Sequence, residues 1–168
     1  MTTQINEQSA SQIVKRQIQP PVNVRALAAD FGVNVWESDL GSKISGKLFR
    51  DTEHGGSSGY SILINAKEPY VRRRFTVAHE LAHFLLHREM VKRLGGLTED
   101  IFYRADGLNG WQEMEANRLA AEILMPHALI KKFRSEGKTP LELAQLFEVS
   151  EPAMRIRLSL QEAPMNVR

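Results

Sequence analysis

A chain of 168 residues with 42% hydrophobic content is long enough to bury one substantial core and short for two, so a single domain over residues 1–168 is the simplest expectation. Its 22 basic residues against 20 acidic ones leave a formal charge of +2, which does not by itself require a nucleic-acid partner. The absence of cysteine excludes disulfides and thiolate metal sites, and a start that is neither basic nor apolar, with no apolar run of spanning length, points to a cytoplasmic protein with no membrane partner.

Residues 1–6 and 162–168 read as polar, disordered tails. Glu7 to Gln19 has the pattern of a helix ending before Pro20-Pro21, and Asn23 to Phe31 that of a second helix closed by Gly32. Three strand-like runs follow: Val33 to Glu37, Ile44 to Phe49, and Gly59 to Asn65. Turn residues fill Asp51 to Ser58, so the last two runs should pair as a hairpin. The fold class expected is α+β, a small antiparallel sheet of about three strands beside a helical bundle.

The next segment, Arg74 to His87, reads as one helix and contains His79-Glu80-Leu81-Ala82-His83, an H-E-x-x-H motif. Side chains four apart lie one turn apart on the same face, so both imidazoles can reach one metal ion while Glu80 handles the proton of a water molecule. Val77, Ala78, Leu81, Ala82, Phe84, Leu85 and Leu86 surround the three polar residues, and buried polar groups need partners. The pattern is that of a zinc peptidase with a zincin-like core. Arg72-Arg73-Arg74, ahead of the motif, could grip acidic groups, although a helix start with one inward arginine is the commoner use of such a run.

A catalytic zinc takes three protein ligands and keeps a position for water. The extended motif with Gly and His three and six residues after the second histidine is absent, since Leu86 and Glu89 stand there. Trp111 to Pro126 is a second helical stretch, on which Glu113, Asn117, Ala120, Ala121 and Leu124 share a face. Glu113 is the candidate third ligand, with an ordinary surface carboxylate as the alternative. Asn117, one turn on, could accept a hydrogen bond from the ring N–H of His79 or His83. Glu115 and Glu122 should point elsewhere, into solvent.

The run Arg73 to His87, followed some thirty residues later by Glu113-Met114-Glu115-Ala116-Asn117-Arg118-Leu119-Ala120-Ala121-Glu122-Ile123-Leu124-Met125-Pro126, resembles the ImmA/IrrE family of metallo-endopeptidases. The likeness runs from about Val22 to Leu160. It implies His79, His83 and Glu113 as zinc ligands, Glu80 as catalytic base, and as substrate a helix-turn-helix repressor or, in toxin–antitoxin members, an antitoxin. Related glutamate zincins often carry aspartate where Asn117 stands, so the histidine support here is neutral.

Zincins bind an extended peptide along a strand edge, and Gly59, Tyr60, Ser61, Ile62, Leu63 and Ile64 are the expected strand near that edge. Tyr103, His87, His54 and Arg118 are unranked candidates to stabilise an oxyanion, whereas His127 reads as a loop residue. Thr139 to Leu158 has the rhythm of a helix-turn-helix, with Ser150 as N-cap and Pro152 in the next first turn. Its Arg155 and Arg157 leave a DNA-binding regulator as the rival reading, but a pair completing the core or docking a protein is favoured.

Overall fold

The computed structural model describes residues 4–94, 97–98 and 109–162. Helices α1 (Glu7–Arg16) and α2 (Val24–Asp30) precede strands β1 (Val33–Ser38), β2 (Gly46–Arg50) and β3 (Tyr60–Asn65). Helix α3 (Tyr70–Leu94) and the two-residue strand β4 (Leu97–Thr98) come next, then helices α4 (Asn109–Leu124), α5 (His127–Ser135), α6 (Pro140–Phe147) and α7 (Glu151–Glu162). No helix among the described residues is long and apolar enough to cross a membrane.

Side-chain caps set the first helices. Asn6 accepts from the Ser9 amide at 2.8 Å and Asn23 from the Ala26 amide at 3.0 Å, each satisfying an amide the helix leaves free. Helix α1 stops at Arg16, three residues short of the expected Gln19; Gln17 is its C-cap, and the side-chain amide of Gln17 donates to the Glu122 and Ile123 carbonyls at the end of α4. Helix α2 closes on Gly32, whose φ of 71° is the left-handed conformation that glycine adopts without steric cost. Asn6, Ile5 and Glu162 do not belong to tails as expected: Asn6 caps α1, Ile5 packs on the core and Glu162 ends α7. Residues 1–3 and 163–168 lie outside the described residues.

The sheet runs in the order β1-β3-β2-β4. Strands β2 and β3 form the expected antiparallel hairpin, with Leu48 opposite Ile62. Strand β1, however, pairs parallel to β3, from Val33 opposite Tyr60 to Ser38 opposite Asn65, so the sheet is mixed rather than antiparallel. This also corrects the position of residues 59–64. β3 is interior, with β1 on one side and β2 on the other, and its backbone is already engaged in pairing. Its burial explains the order, because Tyr60, Ser61, Ile62, Ile64 and Asn65 are all buried, on both faces of the strand. The edges of the described sheet are β1 and β4.

Helix α3 packs between the sheet and α4. Val77, Ala78, Leu81, Ala82 and Phe84 are at most 1% exposed, and Tyr60 meets the Phe84 ring edge-on at 5.3 Å. Glycine at position 46 lets β2 approach the helix, since a Cβ there would lie 2.5 Å from Thr76 Cγ2. Across the other seam Ala78, Ala82, Ala116 and Ala120 are fully buried, which brings α3 and α4 close enough for short side chains to meet.

The three arginines lie inside α3, not ahead of it. Arg72 pairs with Glu68 and Arg73 with Glu37, while Arg74 is 8% exposed and donates to the carbonyls of Val22, Phe147 and Glu148. One inward arginine thus ties α3 to the turn after α6. That helix begins with a full capping box between Thr139 and Glu142, and Ser150 Oγ accepts from the Ala153 amide to start α7. Arg155 pairs with Glu151, and Arg157 donates to the Met125 carbonyl at 3.1 Å.

Candidate metal centre

His79 and His83 project from successive turns of α3, their ring centroids 4.6 Å apart. Glu113 reaches them from α4: Oε1 lies 3.0 Å from His83 Nε2, Oε2 lies 3.3 Å from His79 Nε2, and the two Nε2 atoms are 3.1 Å apart. One ligand atom from each residue falls within 4.8 Å of the others. Four ligands at zinc bond lengths of about 2.0–2.1 Å in a tetrahedron would sit roughly 3.3 Å apart, so the donor set has the right spacing for such an ion. Two ring nitrogens and a carboxylate converging in a buried place need a proton or a cation between them. The residues fit a metal.

Burial and charge prepare these groups. His83 is 1% exposed, and that burial, only partly opposed by Glu113, lowers its pKa from 6.5 to about 4. Burial alone would raise the pKa of Glu113, but hydrogen bonds from His79 and His83 outweigh it and bring it down from 4.5 to about 2. For His79 burial opposes the charged ring, yet the carboxylates of Glu113 and Glu80 prevail and hold the pKa above its ordinary value. Near neutral pH the cluster therefore offers an anionic oxygen and a neutral His83 ring, whereas His79 holds its proton more tightly and must release it to a cation. Glu80, next to His79, is 3% exposed.

Behind these groups lie two supports. Asn117 Oδ1 is 3.0 Å from His79 Nδ1, so α4 brings both a carboxylate and an amide to the histidines. His83 Nδ1 is 3.0 Å from His87 Nδ1, and His87 Nε2 is 3.2 Å from Glu115 Oε2. Glu115 is thus not solvated but 7% exposed against His87. Spacing placed it wrongly because it lies about 200° around α4 from Glu113. His87 also kinks α3, with φ −125° and ψ 22°. A histidine row at 79, 83 and 87 was the available signal for this support. Phe75, which stacks on His79 at 6.3 Å, was a further neighbour that the motif alone did not indicate.

The remaining candidates do not join the cluster. His54 is exposed in the β2–β3 turn beside Glu53, and Arg118 is paired with Glu122 at a mostly exposed position. His127 is not in a loop but is the exposed first residue of α5. Tyr103 lies outside the described residues.

Two curated relatives are similar in sequence. The radiation response metalloprotease IrrE of Deinococcus deserti is 34% identical over 120 residues, covering 68% of this chain and 39% of the relative. Its namesake from Deinococcus radiodurans is 35% identical over 106 residues, covering 60% of this chain and 31% of the relative. The chain thus spans between three tenths and two fifths of the length of these proteins. Among solved structures, a Mycobacterium tuberculosis transcriptional regulator shares the fold with a TM-score of 0.59 at 15% identity, over 96% of this chain and 49% of that one. The model of the IrrE N-terminal-like domain, peptidase family M78, matches residues 28–159, a span that contains both helices that carry His79, His83 and Glu113. By that match, and with a His-His-Glu cluster suited to a metal at its centre, the chain belongs to the IrrE N-terminal-like family of metalloproteases.

Proposed function

We propose that this chain is a single-domain, zinc-dependent metallo-endopeptidase that acts in the cytoplasm on a protein partner. The observation that carries the reading is the meeting of Glu113 with both histidines of the H-E-x-x-H helix, at 3.0 and 3.3 Å. Two histidines and a carboxylate are a ligand set of catalytic zinc sites that keep a position open. A bound zinc supplies Lewis acidity, lowering the pKa of water toward neutrality and polarising a carbonyl.

The residues of the chain do the rest. Glu80, buried beside His79, takes a proton from the attacking water and passes it to the departing amine. Asn117 accepts from His79 Nδ1–H, which keeps the lone pair of Nε2 directed at the centre. Family membership supports a peptidase whose target is a helix-turn-helix repressor or an antitoxin. A DNA-binding role through residues 139–158 draws less support, because Arg155 is held by Glu151 and Arg157 by the Met125 carbonyl. Incubating zinc-loaded protein with an extract of its host, and sequencing new protein N-termini by mass spectrometry, tests the reading. A discrete cleavage that vanishes in Glu80→Gln is expected; identical N-termini from both proteins would contradict it.

A further inference from the structure

We infer that Glu115 and His87 are positioning residues that select the metal-binding tautomer of His83. The inference rests on the reading of His79, His83 and Glu113 as metal ligands, and goes beyond it by naming what prepares the most buried of the three.

A neutral imidazole carries its proton on one nitrogen only. His83 turns Nε2 toward Glu113 and His79, and Nδ1 toward His87 Nδ1 at 3.0 Å. To present a lone pair from Nε2, His83 must carry its proton on Nδ1 and donate it to His87. His87 Nδ1 must then be bare, which puts the His87 proton on Nε2, where Glu115 Oε2 accepts it at 3.2 Å. Each link then has one donor and one acceptor.

The opposite arrangement fails at its far end. With its proton on Nδ1, His87 would turn a bare Nε2 toward a carboxylate that, when ionised, can only accept. His87 and Glu115 are 8% and 7% exposed, so two facing acceptors there would have little access to water, which is costly. A carboxylate on α4 thereby dictates, through one ring, which nitrogen of a second ring is free. Asn117 meets His79 directly, but an amide can accept or donate and so does not impose a tautomer on its partner as the Glu115 carboxylate does.

Glu115→Gln breaks the logic without changing the shape, because its amide can also donate to His87 Nε2 and so tolerates the wrong tautomer. Zinc affinity by chelator competition should fall by about 10- to 100-fold, with the metal-free melting temperature little changed. In a His87→Gln background the new carbonyl can accept directly from His83, so adding Glu115→Gln should alter affinity by less than about twofold. Nitrogen-15 NMR of the metal-free wild-type imidazoles reads the tautomers without any substitution. A proton on His83 Nδ1 and on His87 Nε2 supports the inference, and either one reversed overturns it. Equal zinc affinity in Glu115→Gln and wild type overturns it, as does the same loss in both backgrounds, which would make Glu115 a plain charge. A folded wild-type protein that takes up no zinc would overturn the peptidase reading together with it.

Discussion

Acidifying the zinc-free protein should destabilise it through His83, whose pKa falls from 6.5 in the unfolded chain to about 4 in the folded one. The unfolded state takes up the proton first, so the stabilising contribution is present above 6.5 and is lost as pH falls toward about 4. The full loss is about 3 kcal/mol, of which about 2 is realised on going from roughly pH 7 to pH 4.5. That is a sizeable part of the 5–15 kcal/mol or so available to a domain. His79 does not offset it in this window: its pKa is raised, so its contribution is full below 6.5 and is lost only at higher pH. Glu113 acts lower still, between 4.5 and about 2, whereas burial lowers the His87 pKa and adds to the effect of His83. Urea denaturation of EDTA-treated wild type and His83→Leu at both pH values measures the difference. Wild type should lose about 2 kcal/mol more than the variant on acidification. Equal losses in the two proteins would refute the account of His83.

Other perturbations probe different links. Ala120→Leu at the α3–α4 seam, where Ala120 is fully buried, should cost about 1–3 kcal/mol in denaturant melts and weaken zinc binding by moving Glu113 away from the histidines. Arg74→Met leaves the carbonyls of Val22, Phe147 and Glu148 without their donor and should cost about 3 kcal/mol, read as a lower denaturant midpoint at unchanged slope. Asn117→Ala removes the acceptor for His79 Nδ1 and should weaken zinc by about tenfold or more in chelator competition, with the helical signal retained.

What could be read from the sequence follows the range of the interactions involved. The H-E-x-x-H helix, the Glu113 face and the cap at Ser150 are local, set by residues a turn apart, and in the structure Glu113 meets His83 while Ser150 caps the helix that follows it. Strand order is not local. Alternation in Val33 to Glu37 is compatible with either direction of pairing, and only the meeting of β1 with β3 makes it parallel. The adjacent apolar residues Ile62, Leu63 and Ile64 are a usable sign of an interior strand, since a strand covered on both faces does not alternate between apolar and polar. Glu115 was misplaced because helical spacing describes one helix at a time. Its partner His87 belongs to another helix, at a residue with non-helical dihedrals that no pattern within α4 records.

The central claim is that His79, His83 and Glu113 hold one metal ion for which Glu80 is the base rather than a ligand. Elemental analysis of protein purified without added metal, for wild type, His79→Ala, Glu113→Ala and Glu80→Gln, tests it most directly. About one zinc per chain in wild type and Glu80→Gln, and little in the other two, is the predicted result. Folded wild-type protein that holds no metal even when offered zinc, or Glu113→Ala that holds as much as wild type, would contradict it.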